Sequence, residues 1–160
     1  MNNIKKRIAL FPGSFDPFTV GHESVVKRAL PLFDKIIIGV GDNSSKTTMM
    51  NIDKRIMLIG KVFSGEPDVE IRTYSGLTVD FCKKNNCNYI LRGLRTSADF
   101  EFERAIGQAN KLLENSIETV FLLTLPEHTF ISSSIVRDII KNEGDISHFL
   151  PSGITIEDLG

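Results

Sequence analysis

The stretch RIALFPGSFDPFTVGH, residues 7–22, decides how the rest of the chain is read. Its apolar run at 7–11 predicts a buried β-strand. A run without polar alternation is what a strand covered by helices on both faces requires. The strand passes into a loop in which Gly13 suits a tight turn or a close backbone approach, while Pro12 and Pro17 stiffen it. Gly21 and His22 then open a helix, with Thr19 as a candidate N-cap. Strand, glycine-containing turn and helix start in succession make an anion site, because free N–H groups and the positive end of the helix dipole meet there. The lysine of a G-x-x-x-x-G-K-[ST] loop is absent. A histidine stands at the helix start instead, where it either only closes the first turn or directs a ring N–H at a phosphate oxygen.

The same alternation recurs to the end of the chain. Residues 35–40, 69–74, 88–93 and 119–124 predict four more strands. Between them lie helical stripes: Val25, Val26, Ala29 and Leu30; Ile56, Ile59, Val62 and Phe63; Leu77, Val79, Phe81 and Cys82; Phe102, Ile106, Ala109 and Leu113; Ile135, Ile139 and Ile140, with Gly144 as the C′ stop. Strands and helices in strict alternation predict an α/β fold, a Rossmann-like doubly wound sheet of about five parallel strands with helices on both faces. Ligands of such sheets sit at the carboxyl ends of the strands, near the point where strand order reverses.

Bulk composition narrows the function. The 160 residues, 41% hydrophobic and 24% charged, fit a single domain over 1–160 with its own core. A net charge of −1 supplies no global field for nucleic acid or a membrane surface, so neither is expected as a partner. Any anion must be held by local charge. Cys82 and Cys87 are the only cysteines and are not spaced as a redox or metal motif, which fits a reduced, cytoplasmic setting. The apolar run near the N-terminus is too short for a secretory signal, and no run approaches a membrane span.

The segments after the strands are therefore the informative ones. Lys46 lies in the polar connection after the second strand, either as a mobile phosphate clamp or as a solvated loop lysine. Arg92 and Arg95 flank Gly93 at the end of the fourth strand, and Asp99 and Glu103 follow four residues apart on one helix face. Two guanidiniums at one edge suit bidentate phosphate binding or an arginine–carboxylate network. Ser132, Ser133 and Ser134 open the last helix. One serine suffices as a cap, so three hydroxyls with Arg137 a turn later suggest a second anion site at a helix start. There is no Ser-His-Asp set, no cysteine nucleophile and no metal cage. The inventory is one for binding and orienting phosphates, with little covalent chemistry.

These residues also carry a family likeness. TVGH (19–22) resembles the [HT]-x-G-H motif of the nucleotidylyltransferase superfamily, and ISSSIVR (131–137) its second signature. Together with LRGLRTSADFEFE (91–103) and GDISHFLP (144–151), they resemble the bacterial phosphopantetheine adenylyltransferase family, in order and spacing, over nearly the whole chain. The resemblance implies transfer of the adenylyl group of ATP to 4′-phosphopantetheine by in-line attack without a covalent enzyme intermediate. The products would be dephospho-coenzyme A and pyrophosphate, in the penultimate step of coenzyme A biosynthesis. It further implies Mg²⁺, a cytoplasmic homohexamer and feedback inhibition by coenzyme A. Carried over by motif, His22 is the transition-state stabiliser and binds ATP. Ser14, Phe15, Gly93, Leu94, Arg95, Glu103, His128, Thr129, Phe130, Ile131, Ser132, Ser133 and Ser134 are the other ATP positions. Ser14, Lys46, Thr78 and Arg92 hold phosphopantetheine, and no residue is a metal ligand. Two positions depart from the usual pattern: Ser14 stands where threonine is commoner, and His128 where Trp or Tyr is frequent. A sister nucleotidylyltransferase acting on another acceptor and a non-catalytic nucleotide sensor are the rival readings.

Overall fold

The computed structural model describes residues 6–42, 45 and 47–160. Lys46 lies outside the described residues. Five parallel strands form one sheet: β1 (Ile8–Gly13), β2 (Lys35–Gly41), β3 (Val69–Tyr74), β4 (Tyr89–Leu94) and β5 (Glu118–Leu123), in the order β3-β2-β1-β4-β5. The helices are α1 (Val20–Ala29), α2 (Ile52–Val62), α3 (Thr78–Lys84), α4 (Ser97–Leu113) and α5 (Ser133–Lys141). The alternation expected from the sequence is present, and the strand bounds move by up to two residues. The largest change is at β1, which continues through Pro12 and Gly13.

Alternate strand residues enter different cores, as a strand's two-residue period requires. Ala9, Phe11, Ile36, Ile38, Val40 and Leu91 pack with Val25, Val26 and Ala29 of α1 and Ile59 of α2. Leu10, Ile37 and Ile90 face the other way, onto Val79 and Cys82 of α3. Each fully buried aliphatic side chain contributes about 1.5–3 kcal/mol. A third cluster joins Val136 of α5 to Met50, Leu58, Ile146, Leu150 and Leu159, which seats the C-terminal segment against α2 and α5.

The strand order reverses between β1 and β4, and there the sheet opens. β1 pairs with β2 from Ile8 to Gly13, but with β4 only at Ala9 and Leu10. Beyond Leu10 the two strands part. Pro12 brings no N–H for the parting to leave unpaired, and its carbonyl accepts from Arg92 Nη1 at 2.6 Å. A guanidinium thus stands where a sheet hydrogen bond would have been.

At two helices the structure adds to or corrects the sequence reading. The stripe Phe102, Ile106, Ala109 and Leu113 of α4 is helical as read, but it is exposed. Phe102 is 68% exposed, and the one buried residue of that helix is Glu103. The C′ position after α5 is Glu143, with φ +58°, and Gly144 occupies C″. Glu143 N–H donates to Ile140 O at 3.0 Å and Gly144 N–H to Ile139 O at 2.9 Å, the paired bonds of a Schellman cap. Glycine is required at 144 for space: a Cβ there would lie 2.6 Å from Ile139 Cγ2.

Candidate active site

The cleft opened by β1 and β4 has two lobes. The larger, about 630 Å³, lies toward β2 and β3 and is lined by Gly41, Asp42, Tyr74, Thr78 and Asn110 among others. The smaller, about 370 Å³, lies against the starts of α1 and α5 and is lined by His22, Gly93, Arg95 and Ile131–Ser134. Pro12, Gly13, Ser14, Arg92 and Glu103 line both. Two bound molecules would therefore meet at Ser14 and Arg92.

The loop after β1 is held in a fixed, unusual shape. Phe15 has φ +51°, a left-handed conformation that a bulky side chain adopts at a cost. The ring folds back over Gly13, where a Cβ would come within 2.7 Å of it. Neighbouring groups impose this conformation. Arg55 Nη1 donates to Ser14 O at 2.7 Å and to Gly41 O at 3.3 Å. Arg137 Nη1 donates to Asp16 O at 2.7 Å, and Ser133 Oγ to Pro17 O at 2.8 Å. The Asp16 carboxylate accepts from the N–H groups of Met49 and Met50 at 2.7 and 2.9 Å.

His22 occupies N3 of α1 and forms a reciprocal capping box with Thr19. Thr19 N–H donates to His22 Nδ1 at 3.0 Å, and Thr19 Oγ1 accepts from His22 N–H at 3.4 Å. Because Nδ1 is an acceptor, the neutral ring carries its proton on Nε2. The ring lies among Phe11, Phe15 and Phe18, with centroids 6.3, 5.1 and 5.3 Å away. Burial, then the charges of Arg92 and Arg95, lower its pKa from 6.5 to about 4. His22 is thus a neutral donor at pH 7 and not a base.

Both arginines carry carboxylate partners. Arg92 Nε and Nη2 donate to Glu103 at 2.8 and 2.5 Å. Arg95 Nε donates to Asp99 at 3.0 Å. The network that the sequence left as an alternative to phosphate binding is present, yet the same side chains face the cleft. The paired carboxylates aim the guanidiniums there. The three serines also divide their work. Ser132 caps α5 by accepting from Ile135 N–H at 3.2 Å, Ser133 anchors Pro17, and Ser134 accepts from Arg137 at 3.2 Å.

The residues expected at the site are for the most part brought together. Ser14, Phe15, His22, Gly93, Arg95, Glu103 and Ile131–Ser134 line the smaller lobe, and Thr78 and Arg92 the larger. Leu94, His128, Thr129 and Phe130 line neither. Leu94 is buried. His128 ends a 3-10 turn at Pro126–His128, and the exposed Phe130 ring meets Phe149.

The cytidylyltransferase-like family matches residues 10–139. A phosphopantetheine adenylyltransferase from Flavobacterium psychrophilum is 51% identical over 151 residues, covering 94% of this chain and 99% of that protein. One from Nautilia profundicola is 47% identical over 151 residues, with 94% and 97% covered. The chain belongs to the phosphopantetheine adenylyltransferase family. A solved structure from Vibrio parahaemolyticus, assigned as a nicotinate-nucleotide adenylyltransferase, superposes with TM-score 0.71 at 21% identity, covering 97% of this chain and 99% of that one. At that identity it speaks for the fold alone. For a member of the phosphopantetheine adenylyltransferase family, sequence reasoning passed over two buried charges beside the motif loop, Asp16 and Arg55. Arg55 had a signal: it shares the buried face of α2 with Leu58 and Ile59, where a charge is out of place.

Proposed function

We propose that this chain transfers the adenylyl group of ATP to the phosphate of 4′-phosphopantetheine, giving dephospho-coenzyme A and pyrophosphate. The observation that carries the reading is the two-lobed cleft meeting at Ser14 and Arg92, with the neutral His22 ring on its nucleotide side. ATP takes the smaller lobe, and the acceptor takes the larger one.

An oxygen of the acceptor phosphate attacks the α-phosphorus. The bond from that phosphorus to the bridging oxygen breaks, and its electron pair leaves with pyrophosphate. The acceptor oxygen is already anionic, so no base is needed, in keeping with a histidine held neutral. Alignment of two bound reactants can supply about 7–11 kcal/mol of the barrier. His22 Nε2–H donates to the charge that builds on the α-phosphate, a contribution of about 3–4 kcal/mol for a well-placed donor. Arg92 and Lys46 receive the acceptor phosphate, and Thr78 lines its lobe. Arg95, Gly93 and the start of α5 hold the triphosphate.

Mg²⁺ enters as part of the substrate, MgATP. Of the carboxylates that line the smaller lobe, Glu103 and Asp99 are engaged by Arg92 and Arg95, and Asp16 by the Met49 and Met50 amides. That donor set fits an ion carried on phosphate oxygens rather than one caged by side chains, and there it would neutralise phosphate charge. Assembly as a homohexamer belongs to the same reading, supported by the exposed apolar stripe of α4, as does feedback by coenzyme A in the same cleft. A cytoplasmic site fits too: among the described residues no helix is long and apolar enough to cross a membrane. Pyrophosphate release from MgATP, measured with phosphopantetheine and separately with nicotinamide mononucleotide, tests the acceptor. Release with the mononucleotide alone contradicts it.

A further inference from the structure

One buried arginine joins the ends of β1 and β2. The two strands pair in register as far as Gly13 and Val40. The next residue on each, Ser14 and Gly41, turns its carbonyl to Arg55 Nη1, which donates to them at 2.7 and 3.3 Å. On the other side of β1, Arg92 of β4 reaches the Pro12 carbonyl. Ser14 and Gly41 line the acceptor lobe, and Ser14 lines the nucleotide lobe too. Arg55 thus lies one hydrogen bond behind the point where the two lobes meet.

Burial makes this an unfavourable place for a guanidinium. Arg55 is 3% exposed, on the face of α2 that also buries Leu58 and Ile59. Arg92 and Arg95 each have a carboxylate partner. Among the described residues Arg55 forms no ion pair, and its buried Nε has no hydrogen-bond partner. A buried charge without a counter-charge opposes folding, and a hydrophobic side chain of similar volume would serve the α2 face better. Stability therefore does not account for an arginine at 55. What the guanidinium adds is a fixed Ser14, next to Phe15 in its left-handed conformation.

We infer that Arg55 is a positioning residue for the transfer step: it sets the Ser14 backbone, and with it the alignment of the two bound reactants. The inference rests on the adenylyl-transfer reading of the cleft. Arg55 lines neither lobe, so it acts through Ser14 and Gly41 and not by touching a reactant. His22, Arg92 and Arg95 have their own supports in Thr19, Glu103 and Asp99. Loss of Arg55 should therefore leave binding in place and appear in kcat, since a misplacement of about 1 Å can lower a rate about 100-fold.

Arg55→Met keeps most of the side chain's length and removes its donors. Initial-rate kinetics of Arg55→Met are expected to show kcat lowered about 10- to 100-fold, with KM for ATP and for phosphopantetheine each within about threefold of wild type. Arg55→Lys keeps the charge on a shorter, unforked side chain and should recover part of that loss. Leu58→Ala, on the same helix face but packed with Val136 and Ile146, is the comparison for stability alone. Its thermal midpoint should fall while kcat stays near wild type. A kcat for Arg55→Met within about twofold of wild type overturns the inference, as does a loss confined to KM. An equal fall of kcat in Leu58→Ala overturns it too. If Arg55→Met does not fold, Arg55→Lys decides: kcat lowered about threefold or more with both KM values kept supports the inference, and kcat at the wild-type level overturns it. A wild-type protein that releases no pyrophosphate with phosphopantetheine sinks the adenylyl-transfer reading. Normal wild-type turnover with unchanged kcat in the variants sinks the Arg55 inference alone.

Discussion

Thr19 donates its backbone N–H to Nδ1 of His22 at 3.0 Å, across the first turn of the helix after the motif loop. One hydrogen bond thereby selects the tautomer, orients the ring and leaves Nε2–H as the donor. A lysine at this place would bring a mobile charge. The capped imidazole brings one directed hydrogen bond in a fixed position, which suits the α-phosphate, where the adenylyl bond is broken.

Removing that donor should slow turnover. His22→Ala is expected to lower kcat by roughly 100- to 1,000-fold, with KM for phosphopantetheine changed little. Near-normal kcat in initial-rate measurements would remove His22 from the chemistry.

The ring's pKa makes a second, separate test. With the folded value near 4 and the ordinary value 6.5, the unfolded chain takes up the proton first as the pH falls. The contribution of His22 to stability is complete above pH 6.5, is lost between 6.5 and about 4, and changes no further below that. The full span is on the order of 3 kcal/mol. Following the ring protons by NMR should place the His22 midpoint close to 4. A midpoint near 6.5 would mean that the phenylalanine surround and the arginines do not desolvate and repel as described.

Arg92 spans the parted ends of β1 and β4 and faces both lobes. Arg92→Ala should raise KM for phosphopantetheine by about 100-fold, in line with the loss of a charge-assisted phosphate contact. An unchanged KM would contradict its place on the acceptor. Its thermal midpoint should fall as well, since the Pro12 carbonyl and the Glu103 carboxylate both lose their partner.

The C-terminal cap of α5 offers a test free of catalysis. Glu143 sits at φ +58°, a conformation that glycine adopts without strain. Glu143→Gly is expected to stabilise the protein by about 1 kcal/mol. Gly144→Ala, one residue on, should destabilise it by about 1–3 kcal/mol through the clash with Ile139. Thermal melts that move in the opposite directions would refute the assignment of C′ and C″.

The alternation of apolar runs and helical stripes was enough to read β1 to β5, α1 to α5 and a cleft at the strand ends. Those signals are local. The capped starts of α1 and α5 were legible for the same reason, since His22 lies within a turn of Thr19, Ser132 within a turn of Ile135 and Ser134 within a turn of Arg137. The brace on the loop was not. Arg55 reaches Ser14 over 41 residues and Asp16 reaches Met50 over 34, and no local pattern records such a contact. The parting of β1 and β4 likewise depends on strand order, although Pro12 marks where it happens. The exposure of the α4 stripe was not legible, because apolar spacing tells which residues share a face and does not tell what covers it. Gly144 misled because a helix can end with a non-glycine residue at C′ when the next position needs the space.

The central claim is direct transfer of the adenylyl group between two molecules bound in one cleft. The most direct measurement tracks ATP labelled at the α-phosphorus, incubated with the protein, Mg²⁺ and 4′-phosphopantetheine. The expected result is label in dephospho-coenzyme A, in step with unlabelled pyrophosphate, and no labelled protein at any time. Label that stays in ATP or AMP, or becomes attached to the protein before product appears, would contradict the account.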